Sequence, residues 1–270
     1  MNRYQTLYKK LVPFKKGCFI PFVILGDPSI DISLKIVDVL IENGADGLEL
    51  GIPFSDPLAD GKIIQKANLR AFSSGINVVK CLTMLHKIRK KYKTIPIGIL
   101  SYANLIFQFG INNFYLKCSN INIDSILIAD LPIEESYKFR QCAEINNISQ
   151  VFICPPDAQQ DLIEKVSMYS TGYIYLLSRS GVTGTDQDII IPPLNLINQL
   201  KRLTNIPIIQ GFGVSHPKQI KKIILSGVSG VICGSVIIQL IENYWFDKKK
   251  LMEKIKNLSK SLHQSTQIVK

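Results

Sequence analysis

The sequence lacks several features that would place it in a special class of protein. No apolar run approaches the roughly 20 residues of a membrane-spanning helix, and the first ten residues contain no apolar stretch of the signal-peptide kind. None of the six cysteines forms a C-x-x-C pair, and the three histidines fall on helix-like or surface segments. We therefore expect no membrane association, no zinc site and no histidine-based nucleophile. Buried reduced thiols in a cytoplasmic protein explain the cysteines better than disulfides do.

Acidic residues are outnumbered by basic ones, and the 270-residue chain has a formal net charge of +11. An excess of this size is compatible with nucleic-acid binding. The lysines, however, are scattered over predicted helix faces such as 87–93 and 248–260, and no RNA- or DNA-binding motif accompanies them. We interpret the charge as solvated helix faces with a weak preference for anionic small molecules, and we expect no nucleic-acid partner.

Short apolar segments alternate with longer amphipathic or polar segments along the chain. Eight segments are predicted as strands: 18–25, 47–52, 95–102, 125–129, 150–154, 172–177, 207–211 and 230–233. Apolar strands that are each followed by a helix predict a parallel sheet, and eight such units in one domain's length predict a closed (β/α)8 TIM barrel. An open doubly wound sheet would normally carry G-x-G-x-x-G after its first strand. Here that strand ends in Leu25-Gly26-Asp27-Pro28, which favours the α/β barrel.

We expect residues 1–270 to form one barrel domain, because the sequence contains no linker, low-complexity tract or second core. The first ten residues are typical of a short amphipathic helix, and a short extra helix is predicted after strand eight. The longest strand-to-helix connections are 53–60, after strand two, and 178–193, after strand six. In a barrel both would lie at the carboxyl-terminal face, where active sites are built.

Two carboxylates stand close together in unlike surroundings, one inside predicted strand two and one at the end of the loop that follows. Alternation along the strand points Leu48 and Leu50 outward and Glu49 into the barrel mouth, where desolvation would raise its pKa. Such a group suits proton transfer near neutral pH; the alternative is a glutamate neutralised by a lysine of a covering helix. Asp60 is either a second catalytic carboxylate or the N-cap of a helix that begins near Gly61.

Glycines cluster after the last three predicted strands. They are Gly181 and Gly184 in loop six, Gly211 and Gly213 after strand seven, and Gly234 with Ser235 after strand eight. Barrels often bind a phosphate with the loops after strands seven and eight and the N-terminus of a short extra helix. Backbone N–H groups at glycines can approach the oxygens, and a helix N-terminus favours the anion. Ordinary turns are the alternative, but glycines at consecutive strand ends favour a phosphate site.

Apolar side chains also gather at or near the predicted strand ends. They are Phe22, Leu100, Leu127, Ala129, Ile153 and Tyr175. Core filling explains any one of them, but around a lone carboxylate they could form a slot for a flat aromatic group. The residues alone therefore predict a barrel that binds a phosphate monoester and carries out acid–base chemistry with Glu49.

The run Glu49-Leu50-Gly51-Ile52-Pro53-Phe54-Ser55-Asp56-Pro57-Leu58-Ala59-Asp60-Gly61 resembles a segment specific to tryptophan synthase alpha chains. The similarity covers nearly the whole chain, from Arg3-Tyr4 to about Leu240, and includes Ala129-Asp130-Leu131-Pro132. It implies a TIM-barrel lyase of L-tryptophan biosynthesis. Such an enzyme would cleave indole-3-glycerol phosphate to indole and D-glyceraldehyde 3-phosphate by a retro-aldol reaction.

The resemblance also implies roles for single residues. Glu49 would protonate indole C3 and take the proton of the side-chain hydroxyl, while Asp60 would accept a hydrogen bond from the indole N–H and stabilise the indolenine cation. The residues expected to bind substrate are Gly184, Gly213, Gly234 and Ser235 at the phosphate, Phe22, Leu100, Tyr175 and Phe212 in the pocket, and Thr183 in a mobile loop that closes over it.

A partner is implied as well. The chain would form an α2β2 heterotetramer with a β chain, toward which loops two and six would face. Pyridoxal phosphate is expected only in that β chain, which receives indole through a tunnel, and no metal or cofactor is expected in this one. Three residues depart from the common family pattern, namely Lys62, Ser101 and Ser180, and they bear on loop stiffness and partner coupling rather than on the reaction.

Two other functions stay open. A different phosphate-binding barrel, such as indole-glycerol-phosphate synthase or a sugar-phosphate isomerase, is one; the synthase would want a catalytic lysine on a barrel strand, and the interior runs 22–25, 97–100 and 127–130 contain none. A degenerate alpha chain, kept only to activate its β partner, is the other. The intact Glu49 and Asp60 argue against it.

Overall fold

Eight parallel strands form a closed barrel in chain order, and β8 pairs with β1 to complete it. The computed structural model describes residues 3–177, 193–211, 213–214 and 216–267. The strands are β1 (Cys18–Ile24), β2 (Leu48–Gly51), β3 (Ile97–Ser101), β4 (Ser125–Ile128), β5 (Ser149–Cys154), β6 (Ile174–Leu177), β7 (Ile208–Gly211) and β8 (Gly230–Cys233). The predicted TIM barrel is thus confirmed, and no strand end differs from its predicted position by more than two residues.

Helices surround the barrel and cover its outer face. They are α1 (Arg3–Leu11), α2 (Ile30–Glu42), α3 (Lys62–Ser73), α4 (Val78–Lys91), α5 (Ala103–Phe109), α6 (Ile111–Asn120), α7 (Tyr137–Ile145), α8 (Gln160–Tyr169), α9 (Leu194–Leu203), α10 (Pro217–Leu225), α11 (Ser235–Tyr244) and α12 (Lys248–Thr266). Short 3-10 turns occupy Val12–Phe14 and Ile133–Ser136. The predicted N-terminal helix is α1, and the predicted helix after strand eight is α11.

Alternation along the strands separates the barrel interior from the helix-facing layer, as β2 shows. Leu48 and Leu50 are fully buried in the apolar core, while Glu49 between them faces the barrel interior. Each strand is buried along its whole length or nearly so, which is the pattern of a parallel sheet covered by helices.

Helix α1 lies against the amino-terminal end of the barrel. The Tyr4 hydroxyl hydrogen-bonds with Ser125 Oγ of β4 at 2.9 Å, and the Tyr4 ring meets the edge of Tyr173, just before β6, at 5.4 Å. A side chain at Gly98 would collide with both hydroxyls, with Ser125 Oγ only 2.7 Å from its Cβ. Tight packing therefore closes the floor of the barrel beneath its mouth.

A buried charge network fixes α1 in this place. Asp124 accepts hydrogen bonds from Arg3 Nη1 at 2.9 Å, from Arg89 Nη2 at 2.6 Å and from the Ile97 backbone N–H at 2.8 Å. Arg89 donates further to the carbonyl oxygens of Tyr92 and Ile95. A buried ion pair tolerates burial only when its remaining polar atoms are satisfied in this way.

All six cysteines are buried and free, as the sequence predicts. Within the described ranges, no helix combines the length and the apolar character that a bilayer crossing requires. The same ranges hold no group of three or more His, Cys, Asp or Glu side chains arranged to bind a metal ion.

Candidate active site

A cavity opens at the carboxyl-terminal ends of the strands, the face at which the sequence places the active site. It encloses about 610 Å³, counted with its solvent-open mouth. Its lining residues are Phe22, Glu49, Ala59, Asp60, Ile64, Leu100, Leu127, Ala129, Ile153, Tyr175, Gly213, Val214, Ile232, Gly234 and Ser235. The structure thus brings together both predicted carboxylates, three of the four predicted phosphate residues and all six predicted apolar residues.

Glu49 is 1% exposed and holds an unusual position for a carboxyl group. Its Oε1 accepts a hydrogen bond from the Tyr173 hydroxyl at 2.9 Å, while Oε2 is buried without a partner in the described part of the chain. Burial raises the pKa of Glu49 to about 7, and the Tyr173 hydrogen bond opposes that rise. No lysine of the described residues pairs with it, so the alternative of a neutralised glutamate is wrong there.

Tyr173 contacts Glu49 but is not among the site residues predicted from the sequence. It lies one residue before β6, on the same side as Tyr175, and is 1% exposed. Because side chains two residues apart on a strand share a face, the inward position of Tyr175 could have signalled it. Its hydroxyl donates a hydrogen bond to Glu49 that favours the ionised carboxylate.

Asp60 ends the loop after β2 and is 7% exposed. Its Oδ2 accepts a hydrogen bond from Asn68 Nδ2 of α3 at 3.2 Å. Burial raises its pKa to about 6, and the hydrogen bond from Asn68 and then the nearby Tyr102 hydroxyl oppose that rise. Within the described residues, the Tyr102 hydroxyl makes no hydrogen bond of good geometry. The N-cap of α3 is Gly61 and has no side-chain cap, so the alternative of Asp60 as a capping residue is wrong.

Gly213, Gly234 and Ser235 lie at one end of the cavity, where an anion can be held. Gly234 is the N-cap residue of α11 and Ser235 its first residue, and no side chain in the described part of the chain caps this helix. The first N–H groups of a helix have no carbonyl partner within it and favour an anion. Gly213 has φ +73°, a backbone conformation that favours glycine. A Cβ at position 234 would lie 2.7 Å from the Phe22 ring, so a side chain here would require that ring to shift.

Thr183, Gly184 and Phe212 lie outside the described residues, as do Gly181 and Ser180. Of the other two departures from the family pattern, Lys62 is exposed as the first residue of α3, and Ser101 is buried as the last residue of β3. The apolar walls also include Ile64, Val214 and Ile232, which no sequence pattern singles out.

Comparison with known proteins decides which family this barrel represents. A family model described as tryptophan synthase alpha chain matches residues 8–267. The chain belongs to the tryptophan synthase alpha chain family. It is 73% identical over 266 residues to a tryptophan synthase alpha chain of Buchnera aphidicola subsp. Schlechtendalia chinensis, a match that covers 98% of this chain and 99% of that one.

Solved structures of the family have the same fold. Tryptophan synthase subunit alpha from Legionella pneumophila superposes with a TM-score of 0.87 at 27% identity, over 98% of each chain. A chain of the tryptophan synthase complex from Pyrococcus furiosus superposes with a TM-score of 0.82 at 30% identity, over 92% of this chain and 98% of that chain. The resemblance read from the run 49–61 is therefore confirmed.

Proposed function

We propose that this alpha chain is a carbon–carbon lyase that cleaves indole-3-glycerol phosphate to indole and D-glyceraldehyde 3-phosphate in L-tryptophan biosynthesis, and that its 270 residues serve this reaction as one domain. The observation that carries the proposal is the content of one cavity. It holds a carboxyl group with a pKa near 7, a second buried carboxyl group, apolar walls and an uncapped helix N-terminus.

Substrate orientation follows from the two unlike ends of the cavity. The phosphate would sit at the N-terminus of α11 beside Gly213 and Gly234, where backbone N–H groups and the helix dipole favour an anion. The indole ring would lie between apolar walls such as Leu100 and Leu127, with its N–H directed at Asp60. The ring and the phosphate would then both be held in place. The bond to be broken, between indole C3 and the hydroxyl-bearing carbon of the side chain, would lie beside Glu49.

Bond cleavage needs an electron sink, and the indole ring can become one. Protonated Glu49 would give its proton to indole C3, and the resulting indolenine cation would be stabilised by the Asp60 carboxylate. Glu49, now ionised, would take the proton of the hydroxyl on the carbon attached to C3. As the carbonyl forms, the carbon–carbon bond breaks and its electron pair returns to the ring. Glu49 ends protonated, and the proposed reaction draws on no cofactor in this chain.

A pKa near the working pH makes one group able to carry out both transfers. Glu49, at about 7, has comparable amounts of both forms near neutrality, whereas Asp60, at about 6, is mostly ionised there. Two carboxyl groups with different pKa values divide the roles of proton carrier and charge stabiliser.

We also propose a β-chain partner that contains pyridoxal phosphate and receives the indole, in an α2β2 assembly. Leu58, which precedes the cavity-lining Ala59 in the β2–α3 loop, is 84% exposed, so this loop offers an apolar side chain to a partner. The Pyrococcus furiosus relative is described as part of a complex.

An indole-release assay with and without a β chain tests the proposal. The wild-type chain should release indole from indole-3-glycerol phosphate, and Glu49→Gln should lower that rate by ~10²–10⁴-fold, as expected for loss of a general acid–base group. Binding of glycerol phosphate, which does not involve Glu49, serves as the control for an intact cavity. Near-normal release by the variant would contradict the role of Glu49. No release by the wild type, even with a β chain, would favour the degenerate activator.

A further inference from the structure

Asn68 occupies a position on α3 that calls for an explanation. It is 3% exposed and shares the buried face of the helix with Ile64, Ala67 and Ala71. Asparagine is a weak helix former, and a buried amide costs free energy unless it is hydrogen-bonded. Its Nδ2 donates to Asp60 Oδ2 at 3.2 Å, but its Oδ1 is buried without a partner in the described chain.

Helix α3 is anchored so that this contact is held in place. Arg70 donates from Nε and Nη2 to the two carboxylate oxygens of Asp27, at 2.8 and 2.9 Å, which ties α3 to the loop after β1. Gln65 Nε2 donates to the Asp60 backbone oxygen at 2.8 Å, which ties the same helix to the end of loop two. Asn68 therefore presents its amide to Asp60 from a rigid support.

The amide has the donor and the acceptor that the two forms of a carboxyl group require. An ionised carboxylate only accepts hydrogen bonds, so it selects the Nδ2 donor; a protonated carboxyl group donates, and an amide turned by half a rotation offers Oδ1. A leucine would fit the same apolar face without either group. An aspartate would offer a second acceptor and, when ionised, a like charge.

We propose that Asn68 is a positioning residue for Asp60, whose side-chain amide holds the carboxyl group in both of its protonation states and favours the ionised one. The inference rests on the proposed function, in which Asp60 contacts the indole N–H. Among the described residues, the other titratable groups near Asp60 are Tyr102, after β3, and Glu49 and Tyr175 in the same cavity, while Lys62 is exposed. None of them is an amide that can exchange donor for acceptor.

The pH dependence of kcat/KM for indole release tests this role. Asn68→Leu should lower kcat/KM by about 10- to 100-fold, the factor expected when a hydrogen bond to a charged group is lost, and should move the acidic limb to higher pH. Asn68→Asp, which keeps the shape, should move that limb further because it adds a like charge. Asn43→Leu is the matched control, because Asn43 donates to the Val39 carbonyl outside the cavity; it should leave the profile unchanged.

A double-mutant cycle separates positioning from a merely structural role. In an Asp60→Asn background Asn68→Leu should cost little more, whereas independent structural damage would add in full. Carbon-13 NMR titration of Asp60 gives a readout without substrate. If the pKa of Asp60 is the same in wild type and Asn68→Leu, or if the losses are additive, the inference is overturned. If the wild type releases no indole but Asn68→Leu still shifts the pKa of Asp60, the proposed function is wrong, and the role of Asn68 toward Asp60 is still supported.

Discussion

The hydrogen bond between Tyr173 and Glu49 offers a direct test of how this site sets its proton affinity. Tyr173→Phe removes the hydroxyl that donates to Glu49 Oε1 at 2.9 Å and keeps the ring that packs on Tyr4. A hydrogen bond to a charged group contributes about 1.5–3 kcal/mol, and one pH unit corresponds to about 1.36 kcal/mol. Because Glu49 is 1% exposed, solvent screening reduces this hydrogen-bond energy only slightly. The pKa of Glu49 should therefore rise above its value of about 7 by roughly one to two pH units.

The expected pH profile follows from the proposed protonation states. Glu49 begins protonated and Asp60 ionised, so kcat/KM should rise through a pKa of about 6 and fall above about 7. In Tyr173→Phe the upper limb should move to higher pH while the lower limb, which reports Asp60, stays in place. The assay is indole release from indole-3-glycerol phosphate across pH 5 to about 9.5, a range wide enough to contain both limbs.

Tyr115→Phe is the matched control for this experiment. Tyr115 is also fully buried, and its hydroxyl donates to Gln150 Oε1 at 2.9 Å, but it does not line the cavity. It should leave both limbs unmoved. An upper limb that stays near 7 in Tyr173→Phe, or one that moves equally in Tyr115→Phe, would refute the reasoning that this hydroxyl stabilises the ionised form of Glu49.

Three further outcomes are expected. Glu49→Gln should raise the free energy of unfolding at pH 8 by up to about 3 kcal/mol, because ionising Glu49 opposes folding between its ordinary pKa of 4.5 and about 7. The gain should vanish as the pH falls toward 4.5, and equal urea midpoints at pH 8 would contradict it. Gly234→Asp should bind glycerol phosphate far more weakly by calorimetry than Gly234→Ala, since only the former adds charge; equal affinities would argue against an anion there. Arg89→Met should destabilise the protein by about 3–5 kcal/mol by leaving Asp124 buried with less compensation. Lys165→Met, at an exposed ion pair, should barely change the urea midpoint. Equal losses of stability in Arg89→Met and Lys165→Met would contradict the expected difference between a buried and an exposed ion pair.

Patterns local in sequence predicted the barrel and the place of Glu49. Alternation over three residues of β2 is enough to put Leu48 and Leu50 in one layer and Glu49 in the other. Asp60 was ambiguous because an aspartate before a helix suits both a cap and a cavity. The loop conformation decides between these two roles, because Gly61 occupies the N-cap position and the Asp60 side chain lines the cavity.

Contacts between distant elements could not be predicted in the same way. Tyr173 meets Glu49 across 124 residues of sequence, which depends on the closure of the barrel rather than on any local pattern. Asn68 lies eight residues from Asp60, but it faces Asp60 only because α3 folds back over the end of its own loop. In both cases the identity of the partner is fixed by tertiary structure, and sequence periodicity reports only which side of an element is buried.

The floor of the barrel has a consequence for how such an enzyme can change. The proton affinity of Glu49 depends on the close packing beneath it, where Tyr173 packs on Tyr4 and Asp124 holds α1 in place. In the proposed function, substrate and partner approach from the opposite end. The residues that set the pKa of Glu49 and the residues proposed to bind the ligand thus lie at opposite ends of one barrel. Substitutions in the loops at the mouth should therefore leave the pKa of Glu49 unchanged. Substitutions that loosen the packing at the floor would admit water and lower that pKa, even with every residue at the mouth unchanged.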